Sequence, residues 1–343
     1  MAAIIKANYD TNRTYLRDVI PLGAPYSISL EVTRVCNIRC NYCFQSIDGS
    51  KKKELGFEAR HIDLKLIETL AEQLKKFPNK IKSMRICGMG EPLANPQFEQ
   101  IMNILKSSGK VEDISFFTNA LLLTHERTQN LLNSGMDRML ISLQGLNAEK
   151  YKEVCGADIS FEKLINEIKY FYDMSRSTNV KLHIKIADIS LKEGEDKKFI
   201  DLFGNMADEV FIGTTVPMFK SVEYSNKIMQ KSNQYGVEPE NEFEVCPQPF
   251  YMLHVQANGD VNPCCDYFKP VVGNIIDTSI YDIWNGDRLY EIRRMLLEFK
   301  RKAIDYCADC PSKNLIVHHK EEHLDDCANE VLANIKKAKI SNV

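Results

Sequence analysis

Between residues 26 and 213, short apolar runs alternate with amphipathic runs. No other feature of the 343-residue chain constrains its fold as tightly. Strands are expected at 26–33, 82–88, 112–118, 137–143, 179–187 and 208–213, and helices between them at roughly 62–77, 96–108, 124–134, 160–175 and 195–206. Strand–helix alternation argues for a parallel sheet with helices outside it. Six such units suit a partial (β/α)6 barrel, an α/β fold. In barrels the chemistry sits at the C-terminal ends of the strands, and four distinctive segments fall there. Cys36-Asn-Ile-Arg-Cys40-Asn-Tyr-Cys43 follows the first strand and Gly88-Met-Gly-Glu-Pro92 the second. Thr118-Asn-Ala120 follows the third, and Ser142-Leu-Gln-Gly145 closes the fourth.

The cysteines narrow the chemistry. There are 11, an odd count, with CxxC-type spacing twice. No signal peptide opens the chain and no long apolar run crosses a membrane, so a cytoplasmic, membrane-free protein is expected. There disulfides are rare, and metal or cluster ligation explains the spacing better. A net charge of −3 gives no basic field for a nucleic-acid partner. Cys36, Cys40 and Cys43 can hold three irons of a four-iron cubane and leave the fourth open. A zinc site or three unrelated thiols are the other readings. Zinc in a structural site takes four ligands, and no fourth His or Cys stands nearby in sequence.

The C-x3-C-x2-C run, with Tyr42 before its third cysteine, resembles the radical S-adenosylmethionine (SAM) enzymes. The resemblance implies a 4Fe–4S cluster whose open iron chelates SAM. Gly88-Met89-Gly90-Glu91 resembles the family's G-G-E-P segment, which holds the SAM amino group. Glycine lets the backbone approach a ligand, and Glu91 can accept from an ammonium. Thr118 and Asn119 resemble the T-N-G segment. Ser142 and Gln144 resemble the S-x-D/Q-G segment near the SAM ribose and carboxylate. Strand alternation puts Lys181, His183 and Lys185 on one face. Facing inward, Lys185 contacts SAM carboxylate or substrate; facing outward, it is solvated.

A second cysteine set resembles the SPASM extension of this family. Cys246, Gly259 and Cys264 match its C-x9-15-G-x4-C opening, and Cys307 and Cys310 its C-x2-C. The continuing C-x5-C-x3-C is missing, with Ile316 among the residues after Cys310. The pattern is therefore similar to the shorter "twitch" version, which carries one auxiliary 4Fe–4S cluster, as in aminocyclitol dehydrogenases. This implies an N-terminal extension over 1–25, a barrel over 26–214, a connector over 215–245, an auxiliary module over 246–312 and a C-terminal helix over 313–343. Within the module a hairpin is expected at Asn258-Gly259, then a helix at 279–299; an amphipathic helix is expected at 318–338. Cys87 reads as a buried small hydrophobe. Cys155, Cys265 and Cys327 are candidate hydrogen donors. Cys155 faces the barrel mouth or is buried, Cys265 is alternatively a cluster ligand, and Cys327 sits on a solvated helix face or joins His318, His319 and His323 at zinc.

The resemblance implies two 4Fe–4S clusters, SAM, flavodoxin or ferredoxin as electron donor, and hydrogen abstraction from a small-molecule substrate. A sugar, nucleotide sugar or aminocyclitol oxidised from secondary alcohol to ketone is the leading expectation. Epimerisation of a carbohydrate and peptide maturation are the alternatives, ahead of a purely electron-transferring iron–sulfur protein.

Overall fold

A computed structural model describes residues 3–5, 13–229, 233, 235, 243–265, 269–310, 312–316 and 318–341. Ten strands form one sheet in the order β1-β7-β6-β5-β4-β3-β2-β8-β9-β10. They are β1 (Ile4–Ile5), β2 (Ser27–Leu30), β3 (Ile81–Ile86), β4 (Val111–Thr118), β5 (Arg138–Leu143), β6 (Lys181–Ala187), β7 (Glu209–Gly213), β8 (Met252–Val255), β9 (Asp260–Asn262) and β10 (Gly273–Asn274). Strands β2 to β7 are parallel neighbours in chain order. These are the six strands read from the sequence, and the five crossover helices form at Leu64–Leu74, Phe98–Ser107, His125–Asn133, Phe161–Ser175 and Asp196–Phe203.

Alternation explains the layering. Ile28 and Leu30, Met84 and Ile86, Ile114 and Phe116, Met139 and Ile141, and Leu182 and Ile184 are fully buried in one core. The intervening positions Arg85, Phe117, Ser142 and Lys185 line a cavity on the opposite face. Side-chain caps start several helices: Asp63 accepts from Lys65 N, Thr124 from Arg127 N, and Ser160 from Lys163 N. Each removes an unpaired donor of a first turn. Asn147 likewise caps a helix, Ala148–Cys155, that the periodicity did not announce.

The second half joins the same sheet. β8 pairs in parallel with β2, from Ser27 opposite Met252 to Leu30 opposite Val255. The expected hairpin turns at Asn258-Gly259, where Gly259 has φ +88°, a conformation that favours glycine. The helix expected at 279–299 is two, Ile280–Asn285 and Asp287–Leu297, because Gly286 between them is extended (ψ 163°). The tail differs more. Lys320–Glu322 and Asp325–Cys327 are single turns, and a helix runs only from Ala328 to Ser341. Asp325 accepts from Glu244 N (2.7 Å), across the fold rather than within a helix. His318 Nδ1 is 3.0 Å from Glu322, and His323 Nε2 is 3.1 Å from the His318 carbonyl oxygen. These bonds replace a regular first turn. Of the connector, residues 230–232, 234 and 236–242 lie outside the described residues. No helix among the described residues is long and apolar enough to cross a membrane.

Trp284 ties the two halves together. It is buried in the barrel's core cluster and donates from Nε1 to Leu22 O (2.9 Å). Gln73 of the first crossover helix donates to Ile275 O and accepts from Ile280 N, both at 2.9 Å. Truncating a buried Trp costs about 3–5 kcal/mol. Trp284→Ala should therefore lower the denaturation midpoint of both halves together. Unfolding followed by urea, with probes in each half, checks this; separate transitions would show that Trp284 does not couple them.

Candidate active site

The Cys36–Cys43 loop leaves the C-terminal end of β2 and is clamped from two sides. Asn41 N donates to Val154 O (2.9 Å) and Arg39 N to Cys155 O (3.2 Å), at the end of helix Ala148–Cys155. From the other side Glu91 N donates to Val35 O (2.9 Å). Here two backbones touch. A Cβ on Gly90 would lie 2.5 Å from Thr33 O and 2.6 Å from Val35 O, so no side chain fits. The glycine segment is thus pressed onto the cysteine loop.

Beneath this contact lies a buried ion pair that the sequence reading missed. Glu31 Oε2 accepts from Arg34 Nε (2.8 Å) and Ala257 N (3.2 Å), and Glu31 Oε1 accepts from Met89 N (3.2 Å). Arg34 continues to Gln256 Oε1 (2.5 Å), and Gln256 Nε2 to Asn262 Oδ1 (2.6 Å). A charged residue inside the apolar run before Cys36 was the available signal. Such a charge is costly unless paired.

One cavity of about 510 Å³ collects all the expected SAM-site residues. Its wall includes Cys36, Cys40 and Cys43, Tyr42, the whole Gly88–Glu91 segment, Thr118 and Asn119, Ser142 and Gln144, and Lys185. Tyr42 donates to Gln144 Oε1 (2.5 Å), joining the cysteine loop to the end of β5. Glu91 is buried and already engaged. Oε1 accepts from Leu93 N (3.0 Å) and the Thr118 hydroxyl (2.7 Å), and Oε2 from Asn119 N (2.7 Å). A carboxylate has about four acceptor positions, so one remains for a ligand ammonium. Burial pushes the Glu91 carboxyl up, and these three donors oppose that. Lys185 faces inward with its ammonium 5.3 Å from the centre of the Phe117 ring, and burial pulls it below its ordinary range.

Four cysteines are placed as follows. Cys87 lies just past β3, lines the cavity and has its sulfur 3.2 Å from Ser29 Oγ; it is not the buried core residue expected. Alternation from Arg85 was the signal that could have found it. Cys155 does not face the barrel mouth: it is buried, donates to Tyr151 O (3.0 Å) and is not part of the cavity wall. Cys327 is not on a solvated face. It is buried beside Leu324, Ala328 and Val331 in a separate apolar cluster, away from the cavity. Cys265 joins Cys246, Cys264, Cys307 and Cys310 around a second pocket, with its N–H donating to Gln248 Oε1 (2.9 Å). Arg301, Lys313 and His318 are also in that wall, and both cations pair with Glu244.

Both thiol sets fit iron–sulfur clusters. Burial first, and neighbouring charges after it, push Cys36 up to about 11 and Cys246 up to about 12. Cys155 and burial both push Cys40 up. Metal binding must displace these protons. No three His, Cys, Asp or Glu among the described residues converge as ligands of a single ion would. Cubane thiolates each take a separate iron, so they surround a space instead of meeting at a point.

Comparison with known proteins agrees. Residues 30–187 match the Radical SAM superfamily, and residues 246–311 match the SPASM iron–sulfur cluster-binding domain. The chain thus carries a Radical SAM domain and a SPASM domain, and these domains imply SAM and 4Fe–4S clusters as cofactors. It is similar to the SAM-dependent 2-deoxy-scyllo-inosamine dehydrogenase of Niallia circulans, 25% identical over 304 residues, 86% of this chain and 96% of the relative. It is also similar to a probable GTP 3′,8-cyclase of Methanocaldococcus jannaschii, 30% identical over 171 residues, spanning 50% of this chain and only about half (53%) of that protein. Among solved structures, Streptococcus suis SuiB bound to S-adenosylmethionine aligns with a TM-score of 0.62 at 19% identity, covering 91% of this chain and 79% of that one. At that identity the likeness is one of fold.

Two expectations follow. A hydrogen bond to a charged group is worth about 1.5–3 kcal/mol, so Glu91→Gln should weaken SAM binding about tenfold or more without loss of iron. Equilibrium SAM binding on reconstituted protein measures this, and unchanged affinity would remove the residue's role. For the second pocket, Cys264→Ala should lose about half of the iron of a two-cluster protein, while Cys265→Ala keeps it. Iron analysis after anaerobic reconstitution decides which of the adjacent thiols is the ligand.

Proposed function

We propose that the enzyme oxidises a secondary alcohol of a small hydroxylated substrate to a ketone. One observation carries this: the five-cysteine pocket and the cavity share no lining residue. Four of these cysteines would suffice to close every iron of a cluster there, which would then supply an electron acceptor and not a substrate site. The cavity's size supports a compact substrate. Small-molecule sites span about 300–1,000 Å³, and about 510 Å³ must hold SAM as well.

The cluster and SAM, when bound, supply a 5′-deoxyadenosyl radical that takes the carbinol hydrogen atom. The protein's own part is to remove the hydroxyl proton. His183 is in the cavity wall with Nδ1 3.0 Å from Glu209 Oε2, and Nε2 has no hydrogen-bond partner among the described residues. With a proton held on Nδ1 by that carboxylate, Nε2 would be the acceptor once the ring turns its buried edge to the cavity. The C–H and O–H bonds would break as the C=O bond forms, and a cluster held by Cys246, Cys264 or Cys265, Cys307 and Cys310 would supply the acceptor for the remaining electron. Phe117, Phe211 and Phe219 give the wall an apolar surface, which limits quenching by water.

Cys87 favours a second reading. A thiol in the cavity wall can return a hydrogen atom to the substrate radical, which inverts the carbon instead of oxidising it. Product mass in deuterated water separates the two. Oxidation gives a loss of two mass units and no deuterium at the reacting carbon, and Cys87→Ala leaves it intact. An unchanged formula with one deuterium, abolished by Cys87→Ala, would replace oxidation with epimerisation.

A further inference from the structure

Apart from the three cysteines that would hold the cluster, the cavity wall carries two cations and one carboxylate. Arg85, on β3, and Lys185, on β6, both line it. Neither is in an ion pair with a carboxylate among the described residues, although some two dozen other ion pairs are present. Among the described residues the one carboxylate in the wall is Glu91, and its oxygens are bonded to Leu93, Thr118 and Asn119. Both cations act electrostatically on the Cys87 thiol, so they share one region of the cavity.

Loading SAM does not cancel this excess. SAM brings two positive groups, sulfonium and ammonium, and one carboxylate. If Glu91 takes the ammonium and Lys185 the carboxylate, Arg85 still has no counter-charge. Register places Arg85 opposite Ser29 and Ser115, a strand position below the glycine segment that starts at Gly88. It therefore lies lower along the strand than the SAM-facing loops, with its side chain exposed to the open space. An unpaired cation in such a wall is compensated best by a ligand oxyanion, and a guanidinium meets a carboxylate or phosphoryl group with two parallel bonds.

We infer that Arg85 is the anchor for an oxyanion, phosphoryl or carboxylate, carried by the hydroxylated substrate. This rests on the small-molecule reading above and narrows it. A cationic aminocyclitol is disfavoured here, and an acidic sugar or sugar phosphate fits. The same anchor sets specificity by charge: a substrate without the anion leaves Arg85 uncompensated.

The test uses anaerobically reconstituted, SAM-loaded protein. Inorganic phosphate is titrated by phosphorus NMR, and glucose 6-phosphate, glucuronate, glucose and glucosamine by calorimetry. Phosphate should bind, and one of the two acidic sugars should bind about tenfold or more tightly than glucose or glucosamine. Glucose 6-phosphate in the lead assigns the phosphoryl group, glucuronate the carboxylate. Arg85→Gln should erase the preference, Arg85→Lys should keep most of it, and Lys197→Gln on the outer surface should leave it unchanged. SAM affinity should stay within about twofold in the Arg85 variants, which also reports that they are folded. Absence of binding by both phosphate and glucuronate, glucosamine binding as tightly as the acidic sugars, or a preference that survives Arg85→Gln would each overturn the anchor. An anion preference accompanied by an epimerised product would remove the oxidation and leave the anchor standing.

Discussion

The buried pair of Glu31 and Arg34 fixes the arrangement on which the site depends. Both side chains are almost wholly out of water. An isolated charge there is costly, and removing one member of a buried pair costs about 3–5 kcal/mol. Glu31 is satisfied only because three donors reach it from three places: Arg34 on the cysteine loop, Met89 in the glycine segment, and Ala257 in the β8–β9 turn. The pair is thus the point where the iron-binding loop, the SAM segment and the second half of the chain are held together. The closeness of Gly88 to Glu31 belongs to the same constraint: a Cβ there would come within 2.7 Å of Glu31 Cγ.

That constraint also shapes the electrostatics. Glu31 is spent on internal donors, and so is most of Glu91, which leaves the cavity without a free carboxylate in its wall among the described residues. Arg85 and Lys185 face that space from opposite strands. A site that consumes its acids in its own scaffold and presents its cations to the ligand is built to choose ligands by charge as well as by shape.

Much of this was legible in the sequence, and the exceptions have physical causes. Strands β2 to β7 were readable because burial on one face imposes a period of two on residues such as Ile28-Ser29-Leu30 and Met84-Arg85-Ile86. The motif residues were readable because each follows a strand, where barrel chemistry sits. What the pattern could not give was partnership across distance. Glu31 and Gln256 are 225 positions apart in sequence, yet both bond Arg34. β8 was legible as a hairpin strand, but its parallel pairing with β2 has no local signature. Cys327 sits among polar neighbours in sequence and is buried in an apolar cluster that includes Leu16 and Ile20, far upstream. Cys87 differs for a simpler reason: it shares the alternate position of Arg85 and so faces the cavity and not the core.

The β2–β8 pairing has a consequence for how two thiol sets share one chain. Cys36 follows the C-terminal end of β2, whereas Cys246 precedes the N-terminal end of β8, which runs parallel to β2 in register. Cys264 follows β9, which runs antiparallel to β8 and so returns to that same lower end. The sheet therefore separates the two sets by roughly the length of a four-residue strand, about 13 Å at 3.3 Å per residue, plus the flanking turns. The cavity opens on the upper end and the five-cysteine pocket lies at the lower one. Between them, on the inner face, stand Ser29, Arg85 and His254, adjacent in register. A substrate anchored by Arg85 would rest on the layer that divides the two sites, with SAM above it and the auxiliary thiols below. On the proposed reading, hydrogen removal at one end and electron removal at the other would act on a single bound molecule without either site having to move.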